Sequence, residues 1–144
     1  INSNTYIFEG QSISYSVKPV KSFLHYAHQL MNTPYLWGGR SSFGMDCSGF
    51  TQLIYKLGGI SLPRDSSMQA KRGETISFLT DAIPGDLLFF DNEDGTINHV
   101  GIYKGNEWII HASGSVREDR VDHHGIFRDG VYSHKLRLIK RIIN

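Results

Sequence analysis

Apolar residues recur at helical spacing in an early segment of the chain. The positions lie three and four residues apart, as one buried face of a helix requires, and they are Val20, Phe23, Leu24, Ala27, Leu30 and Met31. Pro19 suits a first helical position, and Thr33-Pro34 disfavours continuation of the helix. The pattern predicts a helix over roughly residues 18–32.

A second helical pattern begins directly after Asp46, which is a good N-cap residue. Its apolar positions are Phe50, Leu53, Ile54 and Leu57. Gly58-Gly59 then provides a stop signal. The pattern therefore predicts a helix whose first turn contains Cys47.

The second half of the chain is typical of β-strands. Short apolar or alternating runs predict strands near residues 86–91, 100–104, 107–112 and 136–143. A turn-rich stretch through Gly73 precedes them, and Asp119, Asp122 and Gly125 indicate a polar loop. Helices followed by antiparallel strands predict an α+β fold, with N-terminal helices packed on one side of a central antiparallel β-sheet.

The first sixteen residues differ from the rest of the chain. Residues 1–16 are polar and β-prone and lack a helical period. We expect a leader or the remnant of a preceding domain there, with one folded domain over residues 17–144. Because the chain starts at Ile1 rather than Met, we expect a mature or trimmed product, so the absence of a signal peptide is uninformative.

Composition narrows the possible functions. The chain has 144 residues, of which 40% are hydrophobic, enough for one core without disulfides or a metal. A formal net charge of +1 gives no reason to expect nucleic acid. No apolar run approaches the roughly 20 residues of a membrane span. A single cysteine rules out an internal disulfide and leaves the redox compartment open.

That single cysteine is a candidate nucleophile. A lone cysteine is more often a small buried hydrophobic residue, but Cys47 is flanked by the polar Asp46 and Ser48 and follows the glycine-rich run at residues 38–44. Free N–H groups and the positive end of the dipole at a helix start favour a thiolate. Cys47 is therefore expected to act as a nucleophile.

Two of the seven histidines suit a base and its partner. His99 and His111 lie in runs that predict a β-hairpin. With a three-residue loop centred on Gly105, His99 faces His111 on one side of the ribbon, with Cβ atoms roughly 5 Å apart. A two-residue loop shifts the register by one and places the histidines on opposite faces.

The chain resembles the NlpC-type bacterial cell-wall cysteine peptidases, and the resemblance covers about residues 17–143. The matching motifs, in the family's order, are Pro34-Tyr35-Leu36-Trp37-Gly38-Gly39, Asp46-Cys47-Ser48-Gly49-Phe50, Leu62-Pro63-Arg64-Asp65-Ser66, Pro84-Gly85-Asp86-Leu87-Leu88-Phe89-Phe90, His99-Val100-Gly101-Ile102-Tyr103 and His111-Ala112. The resemblance implies a compact papain-like fold and an NlpC-type catalytic domain over residues 17–144.

The resemblance also implies catalytic roles. Cys47 would be the nucleophile, His99 the base and His111 the residue that orients it. Such a site acts through a thioester, with backbone N–H groups at the helix start holding the oxyanion. We expect a Cys47–His99 ion pair and the helix dipole to share in stabilising the thiolate. No cofactor is implied.

The implied substrate is a peptidoglycan stem peptide, cut between γ-D-glutamate and the diamino acid. Similarity is greatest to members that accept fragments with a free N-terminal L-alanine. The residues expected to line their L-Ala-γ-D-Glu pocket are Tyr35, Trp37, Asp46, Ser48 and Ser66.

Structural alternatives remain open for three of the residues near this pocket. Trp37 could be a core residue, and Asp46 could be only an N-cap. For Arg64, an ion pair with Asp65 or Asp86 is favoured over contact with a substrate carboxylate.

Other function classes fit less well or stay open. A zinc site built on His99, His111 and the His123-His124 pair is disfavoured, because adjacent strand residues point to opposite sides. A wall-binding module without activity would lack the cysteine or the base, and both are present. An amidase or acyltransferase of the same fold remains the main alternative, since thioester chemistry does not identify the acceptor.

Two expectations concern the cellular context. Members specific for free L-alanine usually carry a preceding Src-homology-type β-barrel, for which sixteen residues are too few. Either the barrel is missing from this chain or the specificity is broader. The resemblance favours an extracytoplasmic location, in the periplasm or secreted, over a cytoplasmic recycling role.

Overall fold

The computed structural model of the protein describes residues 5–8, 11–14 and 16–143. Its α-helices in these ranges are α1 (Val20–Gln29), α2 (Cys47–Leu57) and α3 (Ser66–Gln69), and a 3₁₀ turn spans Leu79–Asp81. Its strands are β1 (Thr5–Phe8), β2 (Gln11–Ser14), β3 (Arg40–Ser41), β4 (Gly44–Met45), β5 (Glu74–Ile76), β6 (Leu87–Asp91), β7 (Ile97–Gly105), β8 (Trp108–Ser113), β9 (Ser115–Val121), β10 (Gly125–Arg128) and β11 (Val131–Arg141). Helices beside a mostly antiparallel sheet confirm the α+β class.

Both predicted helices are present. Helix α1 is shorter than expected, because Pro19 is the N-cap and the backbone leaves helical geometry at Leu30. Helix α2 begins at Cys47, as predicted. The Asp46 side chain accepts a hydrogen bond from the Gly49 N–H at 2.7 Å, which satisfies one of the free donors of the first turn.

Seven strands of the described chain form one sheet in the order β10-β9-β8-β7-β6-β11-β5. Strand β10 also pairs with the first half of β11, while β5 pairs with its second half. Six strands therefore close into a barrel-like ring, and β5 extends one edge. Helix α2 packs against β7 and β8.

Two apolar clusters cover the two faces of this sheet. The first lies between the helices and the sheet and includes Phe23, Phe50, Ile54, Leu87, Phe89, Val100 and Ile102. The second contains at least one residue from each of the six ring strands, and its members are Leu88, Phe90, Tyr103, Ile109, Val121, Ile126 and Ile139. Because both faces of β6 are covered, all of its residues are buried.

Some predicted boundaries were wrong. The expected polar loop falls on the end of strand β9, which contains Asp119, and on the start of β10 at Gly125, so Asp122 alone of these three residues lies between strands. The charged residues of β9 obscured the strand pattern, because the buried Asp119 carboxylate pairs with Arg117 and makes a hydrogen bond with His111 only in the folded protein. Strand β11 begins at Val131, five residues before the predicted start.

The expected leader contains a small hairpin, in which β1 pairs antiparallel with β2. The other leader residues, 1–4, 9–10 and 15, lie outside the described residues, so the leader stays a prediction. None of the described helices is long and apolar enough to cross a membrane.

Candidate active site

Cys47 is the first residue of α2 and lies against the backbone of β7. Its thiol is 4.0 Å from the carbonyl oxygen of Asn98. The backbone N–H groups of Val100, Ser48 and Cys47 itself are directed at the sulfur. The backbone on either side of His99 thus contacts the cysteine, so the start of α2 meets the part of β7 that carries the predicted base.

A bulge shapes β7 at this point. Phe90 pairs with His99, but the next residue of β6, Asp91, pairs with Ile97. Asn98 is therefore an extra residue in β7, and its carbonyl group is directed at Cys47. Bulges redirect groups near active sites in this way.

Burial dominates the electrostatics of the cysteine and the histidine. Burial raises the pKa of the Cys47 thiol, and the opposing N–H group of Val100 does not outweigh it. Burial, with His111 and then His134 nearby, holds the pKa of His99 well below its usual value. Each shift taken separately favours the neutral group, a thiol at Cys47 and an imidazole at His99, which is contrary to the expectation of an ion pair in the resting protein.

The hairpin that carries the histidines differs from the predicted one. Asn106 and Glu107 have φ values of 52° and 62° and form a two-residue turn, in which Gly105 pairs with Trp108. The predicted three-residue loop is therefore wrong. Lys104 is an extra residue in β7, and this bulge reverses the change of face that a two-residue loop would cause.

The two histidines consequently share a face, as predicted, but in another register. His111 pairs with Gly101 rather than with His99, so the imidazoles meet on the diagonal. Nε2 of His99 is 2.7 Å from Nδ1 of His111. Both side chains are buried, with exposed fractions of 5% for His99 and 1% for His111.

A buried carboxylate, that of Asp119, continues this contact. Oδ2 of Asp119 is 2.9 Å from Nε2 of His111. Arg117 donates two hydrogen bonds to the same carboxylate, at 2.7 and 2.8 Å. Burial raises the pKa of Asp119, but the hydrogen bonds from His111 and Arg117 outweigh burial and lower it overall. Burial, with Arg117 and Arg128 nearby, also outweighs the effect of Asp119 on His111, so the pKa of His111 is lowered.

Sequence reasoning missed Asp119, and it also missed His134. The His134 ring stacks on His99 with 4.1 Å between centroids and 27° between planes. Its neighbour Lys135 pairs with the last residue of β6, so β11 passes the end of β6 and reaches His99 on β7. Burial, with His111 and Arg128, lowers the pKa of His134 to about 4. The two-residue spacing of Arg117 and Asp119 was a signal that they share a strand face, but the sequence contained no signal that would place His134 at the site.

A cleft of about 540 Å³ opens beside the cysteine. The five predicted pocket residues all line it together with Cys47; they are Tyr35, Trp37, Asp46, Ser48 and Ser66. Trp37 is 86% exposed, so the alternative that it belongs to the core is wrong.

Asp46 does more than cap the helix. Its carboxylate accepts the N–H groups of Gly49 and Gly38 and two hydrogen bonds from Arg64, at 2.9 and 2.7 Å. Arg64 also donates to the Ser48 hydroxyl at 2.9 Å. These bonds outweigh the opposing effect of burial and lower the pKa of Asp46. Asp46 therefore joins the helix start to the loop that carries Arg64.

The expected partners of Arg64 were wrong, although an ion pair within the protein was right. Asp86 instead accepts two hydrogen bonds from Arg141, at 2.9 and 2.8 Å. Asp65 lines the cleft, and its carboxylate makes no hydrogen bond or salt bridge to any described residue.

The two adjacent histidines that entered the zinc alternative lie outside this cleft. The rings of His123 and His124 pack on each other with centroids 4.0 Å apart and line a separate groove. In the part of the chain that the structure describes, no three His, Cys, Asp or Glu side chains are grouped to hold a metal ion.

Comparisons with known proteins agree on one family. The NlpC/P60 family model matches residues 32–134. The chain is 50% identical over 84 residues to a γ-D-glutamyl-L-lysine dipeptidyl-peptidase of Bacillus subtilis (strain 168), which covers 57% of this chain and 28% of that relative. It is 42% identical over 104 residues to a protein of the same name from Bacillus cereus, with coverage of 66% and 31%.

Solved structures give the same result. An NlpC/P60 family protein from Bacillus cereus superposes with a TM-score of 0.79 and 26% identity, over 94% of this chain and 46% of that one. The NlpC/p60 domain of the peptidoglycan hydrolase SagA superposes with a TM-score of 0.65 and 33% identity, over 71% and 89% of the two chains. The matched regions span less than a third of the two curated Bacillus relatives.

Proposed function

Because the chain belongs to the NlpC/P60 family, we propose that it is a cysteine peptidase that hydrolyses the γ-D-glutamyl-L-diamino acid bond of peptidoglycan stem peptides. The observation that carries the proposal is the position of Cys47, at a helix start beside β7 and facing a cleft lined by all five expected substrate residues. The names of the Bacillus relatives support the same bond as the target.

The reaction follows from the geometry of this site. The Cys47 sulfur attacks the γ-carbonyl carbon, and the thiol proton passes to His99. The N–H groups of Cys47 and Ser48 face the sulfur and hold the developing oxyanion. His99 then protonates the leaving amine as the C–N bond breaks. Water hydrolyses the thioester with His99 as base, which releases the γ-D-glutamate carboxylate and restores the thiol.

Neutral resting groups fit this sequence of steps. Burial opposes charge on either group alone, so proton transfer accompanies attack instead of preceding it. A neutral His99 can accept that proton at once. His111 keeps the ring of His99 in place through the 2.7 Å contact between them.

The cleft suits the L-Ala-γ-D-Glu part of the substrate. Asp65 offers a carboxylate without a hydrogen bond or salt bridge to the described residues, and it pairs with the α-ammonium of L-alanine. Tyr35 and Trp37 form exposed aromatic walls. Ser48 and Ser66 supply hydroxyl groups to the peptide.

Asp46 shapes the cleft instead of binding the amine of the substrate. Its acceptor positions are already occupied by the N–H groups of Gly38 and Gly49 and by the guanidinium of Arg64. An amine would have to displace one of these donors to reach the carboxylate. Asp65 is therefore the better partner for the L-alanine ammonium.

The proposal extends to a papain-like fold, an extracytoplasmic location and a preceding domain. A nucleophile helix packed on the strand of the base supports a papain-like arrangement within residues 17–144. A peptidoglycan substrate favours an extracytoplasmic location. The preceding Src-homology-type barrel and the requirement for free L-alanine stay predictions.

Product analysis tests the proposal. The purified chain is incubated with the tetrapeptide L-Ala-γ-D-Glu-L-Lys-D-Ala, with its N-acetylated form, and with Cys47→Ala protein as control. We expect release of L-Ala-γ-D-Glu with a new γ-carboxylate, and none from the Cys47→Ala protein. Transfer of the acyl group to an added amine would identify an acyltransferase instead, and cleavage at another bond would refute the assignment.

A further inference from the structure

A carboxylate and a guanidinium lie behind the two histidines, on the strand next to them. Asp119 and Arg117 are two residues apart on β9 and therefore share a face. Arg117 pairs with His111 across the strands, and this brings Asp119 to the diagonal position beside the ring. Asp119 is 7% exposed, and its buried carboxylate contacts both of these partners.

The positions of the protons follow from this carboxylate. An ionised carboxylate only accepts hydrogen bonds, so Nε2 of His111 must carry the hydrogen of the 2.9 Å contact. Nδ1 of a neutral His111 then carries a lone pair. The 2.7 Å contact therefore requires that Nε2 of His99 donates to it. Nδ1 of His99 is left as the unprotonated nitrogen.

We propose that Asp119, held by Arg117, is a positioning residue that fixes the tautomers of both histidines and makes Nδ1 of His99 the basic atom of the site. This inference rests on the proposed function in that His99 is the base. During attack the thiol proton moves to Nδ1 of His99, and the imidazolium keeps its Nε2–H bond to His111. No proton moves to Asp119, whose charge stabilises the imidazolium through the neutral His111.

Arg117 orients the carboxylate of Asp119. Its two hydrogen bonds occupy one side of the carboxylate, so the remaining lone pair of Oδ2 is turned to His111. It also favours the ionised form of Asp119 in a buried position. With an asparagine at position 119, the amide nitrogen faces either Arg117 or His111. When it faces His111, that ring must take the Nδ1–H tautomer and cannot accept from His99.

The test combines imidazole ¹⁵N NMR with steady-state kinetics on the purified chain. In the wild-type protein we expect His99 and His111 each to show one tautomer, with the hydrogen on Nε2. In Asp119→Asn and Asp119→Ala we expect Nδ1–H forms to appear at His111 and kcat to fall by roughly 10²- to 10⁴-fold, with a smaller change in KM. Asp119→Glu keeps a carboxylate and should restore the tautomers and part of kcat.

Glu118→Gln is the matched control. Glu118 lies on the same strand but pairs with Lys104 on the other face, at 2.9 and 3.0 Å. The Glu118→Gln substitution should leave both kcat and the tautomers of His99 and His111 unchanged. A folded Asp119→Asn protein with wild-type kcat, or a wild-type His111 protonated on Nδ1, would overturn the inference. If the wild-type protein does not cleave the tetrapeptide, the proposed function fails, while the NMR spectrum still decides where the protons lie.

Discussion

Gly101 should be required for the contact between the histidines, and Gly101→Ala tests this requirement. Gly101 is paired with His111 across the hairpin. A Cβ atom at Gly101 would lie 2.8 Å from Cβ of His111 and 2.6 Å from Cδ1 of Ile109. The Ile109 methyl group can rotate away, but Cβ of His111 moves only with its strand.

The size of the effect follows from these distances. Ordinary van der Waals contact between carbon atoms begins at 3.4 Å, whereas the added Cβ would lie 2.8 Å from Cβ of His111, so Cβ of His111 must move by at least about 0.6 Å. If the His111 ring moves by the same amount along the line that joins the two imidazole nitrogens, their 2.7 Å contact lengthens to about 3.3 Å, which is beyond the ordinary range for N–H donors. We expect kcat to fall by about 10- to 100-fold. Overpacking should lower the free energy of unfolding by about 1–3 kcal/mol.

Steady-state kinetics on the tetrapeptide and urea denaturation measure the two effects. Gly95→Ala is the control, because Gly95 has a φ of 78° and open space where the added methyl group would lie. Alanine there costs about 1–2 kcal/mol of backbone strain without touching the histidines. If Gly101→Ala loses stability but keeps wild-type kcat, the dependence of the base on close packing of His111 is refuted.

Three further predictions concern charge at the site. Because burial raises the pKa of the Cys47 thiol, its alkylation rate should keep rising above pH about 8.5; a plateau at mildly acidic pH would show the resting ion pair after all. His134→Ala should move the acid limb of the pH profile of kcat/KM to higher pH, because removing this ring hydrates His99 and raises its pKa. His134→Phe retains the stacking and should shift the acid limb less. An acid limb that does not move in the alanine variant contradicts this prediction. Arg64→Ala should lower the free energy of unfolding by about 1–3 kcal/mol at pH 7. Since the pKa of Asp46 is lowered in the folded protein, this difference should persist above pH about 4 and vanish as the pH falls through the folded pKa, which urea denaturation at several pH values measures.

Local signals explain why the cysteine helix could be predicted. An N-cap at Asp46 and a glycine stop after Leu57 act within a few residues, and the structure has both ends where they were expected. The motif of Tyr35 and Trp37 likewise identified residues that line the cleft beside Cys47.

The histidine pair shows a different situation. His99 and His111 were correctly placed on one face, but from a wrong loop length. The actual two-residue turn alone would place them on opposite faces of the hairpin, and the bulge at Lys104 returns them to the same face. Bulges depend on strand pairing, which a single sequence does not reveal.

Long-range pairing also explains the residues that were missed. Asp119 looked like a loop residue, because the groups that bond to its carboxylate come from its own strand face and from the neighbouring strand. His134 reaches His99 because β11 pairs with β6 and passes the end of that strand. No local pattern encodes this long-range pairing.

Formation of an acyl-enzyme on Cys47 is the most direct test of the central claim. The wild-type protein is mixed with the tetrapeptide, quenched in acid within milliseconds to seconds, and examined by intact-mass and peptide mass spectrometry. We predict a transient adduct of the L-Ala-γ-D-Glu acyl group on the peptide that contains Cys47, and neither adduct nor cleavage in Cys47→Ala. Cleavage by pure Cys47→Ala protein, or an adduct on another residue, would contradict the account.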